Sequence, residues 1–472
     1  MTKVKNPAAV GGTVAHADDE RRVGFLDAVM ARIAGCFRRC EPRRLVREFV
    51  LGLLMELEDH NCWTIAEALG HSGPHRLQHL LSRAKWDERQ VLDQTAVWAA
   101  GHLTGDDPHE GQDAGQDAVF ILDETGDAKS STDCVGSARQ YSGSLGGVAL
   151  CQVTVNLTYV TTRGHTIIDR RLYLPRDWAG DEERRELAGV PEHIEFATKP
   201  QLAAQMLAHA HDRAIRAPFA AGDEVYGGRD LRRHIRSLGM NYVMAVKHDH
   251  PVALGPHTTT ARKAVRLIGD GGWQRVRTGT GTKGVRSYDW AMLAITPDDT
   301  PNGPDQAGDQ AGDQAGDQAG DAVLLVRRHR YTRKLSYYRC FTTGPAPLAR
   351  LVAVATLRWK IEEDHQLAKQ ACGLDKGQTT RWRSWHRWSC LALLAYTYLA
   401  VTAATQPTGP DQDPDMIAIT VPELLRNIRG PIVPEPRRDP EHRRAWSTWR
   451  RRHQYRARKC HQAWHAYADT TT

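Results

Sequence analysis

The chain has 472 residues, 41% of them hydrophobic, and a formal net charge of +7. That is enough apolar material for ordinary globular cores and enough length for about two to four domains. Nine scattered cysteines with no CxxC pair exclude a disulfide framework and argue against a zinc site, although Cys36 and Cys40 lie one helical turn apart. The N-terminus has no apolar signal region, and the longest apolar run, Cys390 to Ala404, is too short for a membrane span. The expectation is a soluble, cytoplasmic protein with no membrane partner.

In chain order, residues 1–20 are expected to be disordered. Residues 21–104 carry helical periodicity, as in "RRLVREFVLGLLMELED". Within them, "TIAEALGHSGPHRLQHLLSRAKWD" has a short helix, a Ser-Gly-Pro turn and a second helix starting near His75. That is the outline of a helix-turn-helix, and a small helical bundle produces the same outline. Residues 105–117 read as a Gly/Asp-rich linker.

Residues 118–247 then alternate in character. "VFILDETGD", "ALCQVTVNLTYV" and "TIIDRRLYLP" read as three successive strands. The helix "KPQLAAQMLAHAHDRAI", the strand "FAAGDEVYGG", the helix "RDLRRHIRSLG" and the strand "NYVMAVK" follow. This order is that of an RNase H-like core, so the expected class is α/β with an all-α N-terminal region. Residues 248–345 interrupt the core with further strand candidates and a four-residue repeat, "DQAGDQAGDQAGDQAGD", in a loop at 304–321. Residues 346–406 return to helix and complete the core. Residues 407–472 form a basic segment interleaved with Trp, a composition that fits phosphate contact and stacking. Arginine dominates the basic residues, with 13 lysines against 50 arginines, and its planar fork suits phosphate.

Two aspartates stand at strand ends. Asp123 follows "AVFIL", and Asp223 follows "FAAG". Turn formation is the commoner role for one such Asp, but two in matching positions point to the carboxyl end of a sheet, where ligands bind. The helix "RWKIEEDHQLAKQ" adds Glu362, Glu363 and Asp364, and one of these would complete a trio. Three carboxylates suit two Mg²⁺ ions, with Mn²⁺ as a substitute, clamping the attacking and leaving oxygens of a phosphodiester. Arg358 and Lys369, flanking the cluster, would hold the DNA backbone.

Over most of residues 115 to 405 the chain resembles a DDE transposase of a bacterial insertion sequence, in the branch with a β-strand insertion before the catalytic Glu. The stretches that carry the resemblance are "ILDETGDAKS", "SARQYSGSLGGVALCQVTVNLTYV", "FAAGDEVYGGRDLRRHIRSLGMNYVMAVK" and "LRWKIEEDHQLAKQACGLD". The branch joins Tyr, Arg, Glu and Lys with two, three and six residues between them. Here Arg358, Glu362 and Lys369 keep that spacing, which selects Glu362 over Glu363, while Ala355 departs from the Tyr. The resemblance implies Asp123, Asp223 and Glu362 as catalytic metal ligands. It also implies double-stranded DNA as partner, both element ends and target, and a homodimer in the synaptic complex. In the implied reaction, water cuts the element end and the freed 3′-OH attacks target DNA.

Further DNA contacts are expected at Lys129 and Tyr226, each with a bland alternative as a surface lysine or a loop filler. Arg381, Trp382 and Trp385 would offer stacking, or the tryptophans simply pack on the core. Gln152 reads as a core hydrogen-bonding residue. Three rivals stand beside this reading. A haloacid-dehalogenase-like phosphatase is excluded because Thr125 occupies the place of its second Asp. A repurposed DNA-binding derivative and an RNase H-like nuclease without strand transfer stay open.

Overall fold

The computed structural model describes residues 7–105, 117–281, 284–301, 320–406 and 417–471. Its centre is a mixed sheet formed by β1 (Val119–Ala128), β2 (Ala138–Ser142), β3 (Gly147–Val160), β4 (His165–Leu172), β5 (Phe219–Gly222) and β6 (Asn241–Val246). β3 lies antiparallel to β1 on one side and to both β2 and β4 on the other, whereas β5 and β6 continue beyond β1 as parallel strands. Three antiparallel strands followed by two parallel ones, in the order β4-β3-β1-β5-β6, form the expected RNase H-like core. β2 is an addition; its five residues carry no apolar alternation that would announce a strand.

The helices are α1 (Pro7–Arg32), α2 (Cys40–Leu54), α3 (Cys62–Ala68), α4 (His75–Ser82), α5 (Glu88–Thr104), α6 (Arg176–Ala179), α7 (Glu182–Ala188), α8 (Lys199–Asp212) and α9 (Arg229–Ser237) in the first half. α10 (Ala261–Ala264), α11 (Leu348–Leu357), α12 (Lys360–Cys372), α13 (Trp382–Ala404), α14 (Val421–Ile428) and α15 (Pro440–Thr471) follow. Several begin at side-chain caps that fix their first turn. Asn61 and Thr64 form a capping box on α3, and Thr198 with Gln201 does the same for α8. Residues 7–20, expected to be disordered, instead open the helix α1; residues 1–6 lie outside the described residues.

α13 explains how the helical parts join the sheet. Nearly every residue from Trp385 to Thr402 is buried. Its apolar surface packs on β4 and α12 of the core and on α2, α4 and α5 of the N-terminal helices. One continuous core therefore holds the N-terminal helices and the sheet together, with Phe49, Val91, Leu157, Met206 and Leu394 in a single cluster. Among the described residues no helix is long and apolar enough to cross a membrane.

The insertion is not a separate body. A hairpin of β7 (Pro251–Leu254) and β8 (His257–Thr260) precedes β9 (Gln274–Gly281), β10 (Gly284–Ile295), β11 (Asp321–Arg328) and β12 (Leu335–Thr342). β12 pairs antiparallel with β6, so these four strands extend the core sheet to ten strands among the described residues. A buried ion cluster anchors the seam: Arg232 of α9 meets Asp298 and Asp299 at 2.7 Å each, and Arg236 meets Asp299 at 2.9 Å. The repeat at 304–321 falls between β10 and β11, and its residues 304–319 lie outside the described residues.

Candidate active site

β1 and β5 run parallel, and the last paired residues are Leu122 and Gly222. The next residue in each case is an aspartate. Asp223 directly follows β5, as expected, whereas Asp123 is not at a strand end but within β1, which stays paired to β3 as far as Ala128. The two still come side by side at about the spacing of neighbouring strands. Tight packing holds this register. A side chain at Gly222 would press its Cβ to 2.9 Å from the Tyr226 Cβ. Asp223 also shapes its own turn, its Oδ1 accepting from the Val225 N–H at 2.9 Å.

The carboxylate that joins them is Glu124. Asp123, Glu124 and Asp223 each offer an oxygen, and all three oxygens lie within 4.8 Å of one another. Glu124 is held in place from two sides, at 2.7 Å from Lys199 Nζ and 2.8 Å from the Tyr226 hydroxyl, which donates to it. Tyr226, expected at the DNA, is fully buried and serves this support. Nothing in the sequence marks Glu124, because one more acid beside Asp123 carries no distinguishing spacing.

Glu362 stands one step away. It opens α12 just past the break after α11, and its side chain is 53% exposed. Arg358 lies between it and the cluster, with Nη2 at 2.5 Å from Glu362 Oε1 and Nη1 at 3.3 Å from Asp123 Oδ2. The neighbouring acids do other things. Glu363 pairs with Lys360 at 2.9 Å. Asp364 is fully buried, accepting from the Thr158 hydroxyl at 2.9 Å, facing His165 Nδ1 at 2.7 Å and accepting from the Tyr396 hydroxyl.

The electrostatics follow from this crowding. Burial pushes the Asp123 carboxyl up to about 7; Asp223 adds to the rise and Arg358 opposes it. Asp223 is raised too, chiefly by burial, against the hydrogen bond from Val225. Two neighbouring carboxylates that resist ionisation, with a third beside them, form an all-oxygen donor set short of positive charge. That is what a hard divalent cation satisfies.

The remaining expected DNA contacts have protein partners. Lys369 Nζ donates to Thr125 Oγ1 at 2.8 Å and Gly126 O at 2.9 Å, and meets Asp127 Oδ1 at 2.9 Å. Lys129 is 8% exposed and donates to the carbonyls of Asp375 at 2.8 Å and Gly377 at 3.0 Å, fixing the loop between α12 and α13. Burial works against the Asp127 carboxylate, yet Arg170 and Lys369 outweigh it and hold its pKa below the usual range. Trp385 is 4% exposed under the Arg170 guanidinium, and Trp382 leans on His386 with ring centroids 4.3 Å apart, so both pack on the core. Arg381 is exposed and donates to the Leu187 carbonyl. Gln152 is fully buried and donates to Val135 O at 2.6 Å, the core role expected of it.

Residues 32–290 match the model of the DDE superfamily endonuclease, and residues 197–398 match that of the transposase DDE domain. The first match takes in Asp123 and Asp223, the second Asp223 and Glu362. A probable transposase for the insertion sequence element IS701 from Microchaete diplosiphon is 26% identical over 214 residues, which is 44% of this chain and 49% of that protein. The chain thus spans about half the length of this curated relative. A cryo-EM structure of the piggyBac transposase synaptic complex with hairpin DNA aligns over 80% of this chain and 68% of that one, at 9% identity and a TM-score of 0.41. With more than half of its length matched by one family model, the chain belongs to the DDE endonuclease superfamily.

Proposed function

We propose that the chain is a metal-dependent transposase that cuts the ends of an insertion sequence and joins them to target DNA. The observation that carries the reading is the β1–β5 register, which sets Asp123 beside Asp223, with Glu362 reached through Arg358. Asp123, Asp223 and Glu362 would hold two Mg²⁺ or Mn²⁺ ions, and Glu124 lies close enough to join them. Bound ions would activate the attacking water or 3′-OH and neutralise charge on the leaving oxygen.

The protein's own groups prepare that site. Asp123 sits within β1 and Asp223 directly after the neighbouring β5 of a packed sheet, which limits their movement. Tyr226 and Lys199 hold Glu124 against the pair. Arg358, tied to two carboxylates, balances their charge and can release toward a phosphate once cations neutralise them. Residues 21–104 would bind DNA, and residues 118–247 with 346–406 would supply the catalytic core, with the β insertion between them. The working form would be a homodimer on two element ends, acting on nucleoid DNA in the cytoplasm.

The test is cleavage and strand transfer on duplexes carrying the element's own ends, with Mg²⁺ or Mn²⁺. Asp123→Ala, Asp223→Ala and Glu362→Ala should abolish both steps while DNA binding survives, and Glu363→Ala should stay active. Wild-type protein that binds the ends yet never cuts would turn the reading to a repurposed DNA-binding derivative. Cutting without joining would leave a nuclease.

A further inference from the structure

The last helix returns to the start of the molecule. The first half of α15 lies across α3 and α4, the helix-turn-helix outline of the sequence. His442 Nε2 meets the Glu67 carbonyl at 2.8 Å, Trp446 Nε1 donates to His71 O at 2.8 Å, and Arg450 pairs with Glu67 at 2.5 Å. Trp449 packs edge-on against Trp63 with centroids 4.9 Å apart and touches His75 at the start of α4. Its indole nitrogen lies 3.3 Å from where a Cβ would stand on Gly73, so the turn glycine makes room for it.

Beyond this dock the helix leaves the body of the protein. From Arg451 to Tyr467 every residue is exposed except His453 and Ala457, which are half-buried. Seventeen helical residues extend about 25 Å. The stretch contains Arg451, Arg452, Arg456, Arg458 and Lys459 and no Asp or Glu. Among the described residues none of these five has a carboxylate within 4.0 Å. α4 leaves Arg76 and Gln78 exposed, with Arg83 exposed just past its end, while Leu77, Leu80 and Leu81 are buried.

We infer that α3, α4 and α15 form one composite DNA-reading unit, in which α4 meets base edges and the exposed half of α15 grips duplex phosphates beyond the α4 footprint. This rests on the DNA reading above and deepens it. The dock makes the arm a rigid continuation of the helix-turn-helix, so its cations are placed in advance rather than recruited from a loose tail. Polyanion is the occupant the charge selects. A second copy of the arm would bring five unneutralised cations against five more, at a cost that grows with each like-charged contact. Trp464 and Tyr467 carry the apolar stripe of the docked half outward, and they would lie along the groove wall.

The experiment measures binding of the full chain to a duplex bearing the element end as a function of salt, for wild type and for the variant R451Q/R452Q/R456Q/R458Q/K459Q. Each phosphate contact contributes about 0.9 to the slope of log K against log salt. The variant should lose about 2–4 of that slope and at least ~10-fold in affinity near 150 mM salt, with unchanged melting temperature because the five side chains touch no core. An unchanged slope in a folded variant overturns the arm and leaves the transposase reading standing. Wild type that binds no duplex at any salt overturns both. Sedimentation of wild type and Trp464→Ala decides the rival: dimers lost in Trp464→Ala with the salt slope intact would make the arm a self-pairing seam.

Discussion

Asp123 should be a residue that the fold would be more stable without. Its carboxyl is raised from 3.8 to about 7, first by burial and then by Asp223. Between those values the folded protein keeps a proton that the unfolded chain releases, so stability falls as pH rises through the window. At about 1.36 kcal/mol per pKa unit, the full cost above pH 7 is ~4 kcal/mol. The side chain is 13% exposed, and relaxation around it halves that figure to about 2 kcal/mol. Asp123→Asn removes the ionisation and keeps the shape. It should stabilise the metal-free protein by ~2 kcal/mol at pH 7.5, or roughly 2 °C in melting temperature for a chain of this size, and by almost nothing near pH 4. The assay is thermal melting from pH 4 to 8 in EDTA, repeated with Mg²⁺. Cation should raise the wild-type melting temperature and leave the variant nearly unmoved. A variant less stable than wild type at pH 7.5, or a difference independent of pH, would refute the claim that Asp123 is strained by burial and by its neighbour.

Lys369→Met tests whether this lysine serves the fold or the DNA. Losing its bonds to Asp127, Thr125 and Gly126 should cost about 2–3 kcal/mol in urea melts; unchanged stability with weakened DNA binding would return it to the substrate. Glu124→Gln should raise the Mn²⁺ concentration needed for half-maximal cleavage by about tenfold, the usual scale for a group supporting a metal site, and an unmoved midpoint would place Glu124 outside it. His365 is buried, and burial together with Lys369 lowers its pKa from 6.5 to about 3. The unfolded chain takes up that proton first as pH falls below 6.5, so this ring's own contribution falls by about 2 kcal/mol between pH 7 and pH 5, against the gain from Asp123. His365→Gln should lose that acid-side term, and a difference between variant and wild type that does not change between pH 5 and 7 would contradict the neutral buried ring.

The sequence by itself determined the parts whose signals are local. The strand runs that lead to Asp123 and Asp223 were legible because each is a short apolar stretch meeting an acid, although β1 runs on past Asp123 to Ala128. The run from Cys390 to Ala404 announced a buried helix by its lack of any polar face. Tertiary structure alone decided what those parts meet. Nothing near β12 indicates that it pairs with β6 and makes the insertion part of the core sheet, because strand pairing across a long separation depends on the whole chain. Nor could spacing show that Lys129 and Lys369 point at carbonyls and Asp127, since a cation with an internal partner reads like one awaiting a phosphate. Glu124 entered the acidic cluster only when Tyr226 and Lys199, from two other elements, closed around it. The docking of α15 onto α3 and α4 is the longest such reach. It joins residues about 375 positions apart through Trp and His faces that, in the sequence, announced only a basic tail.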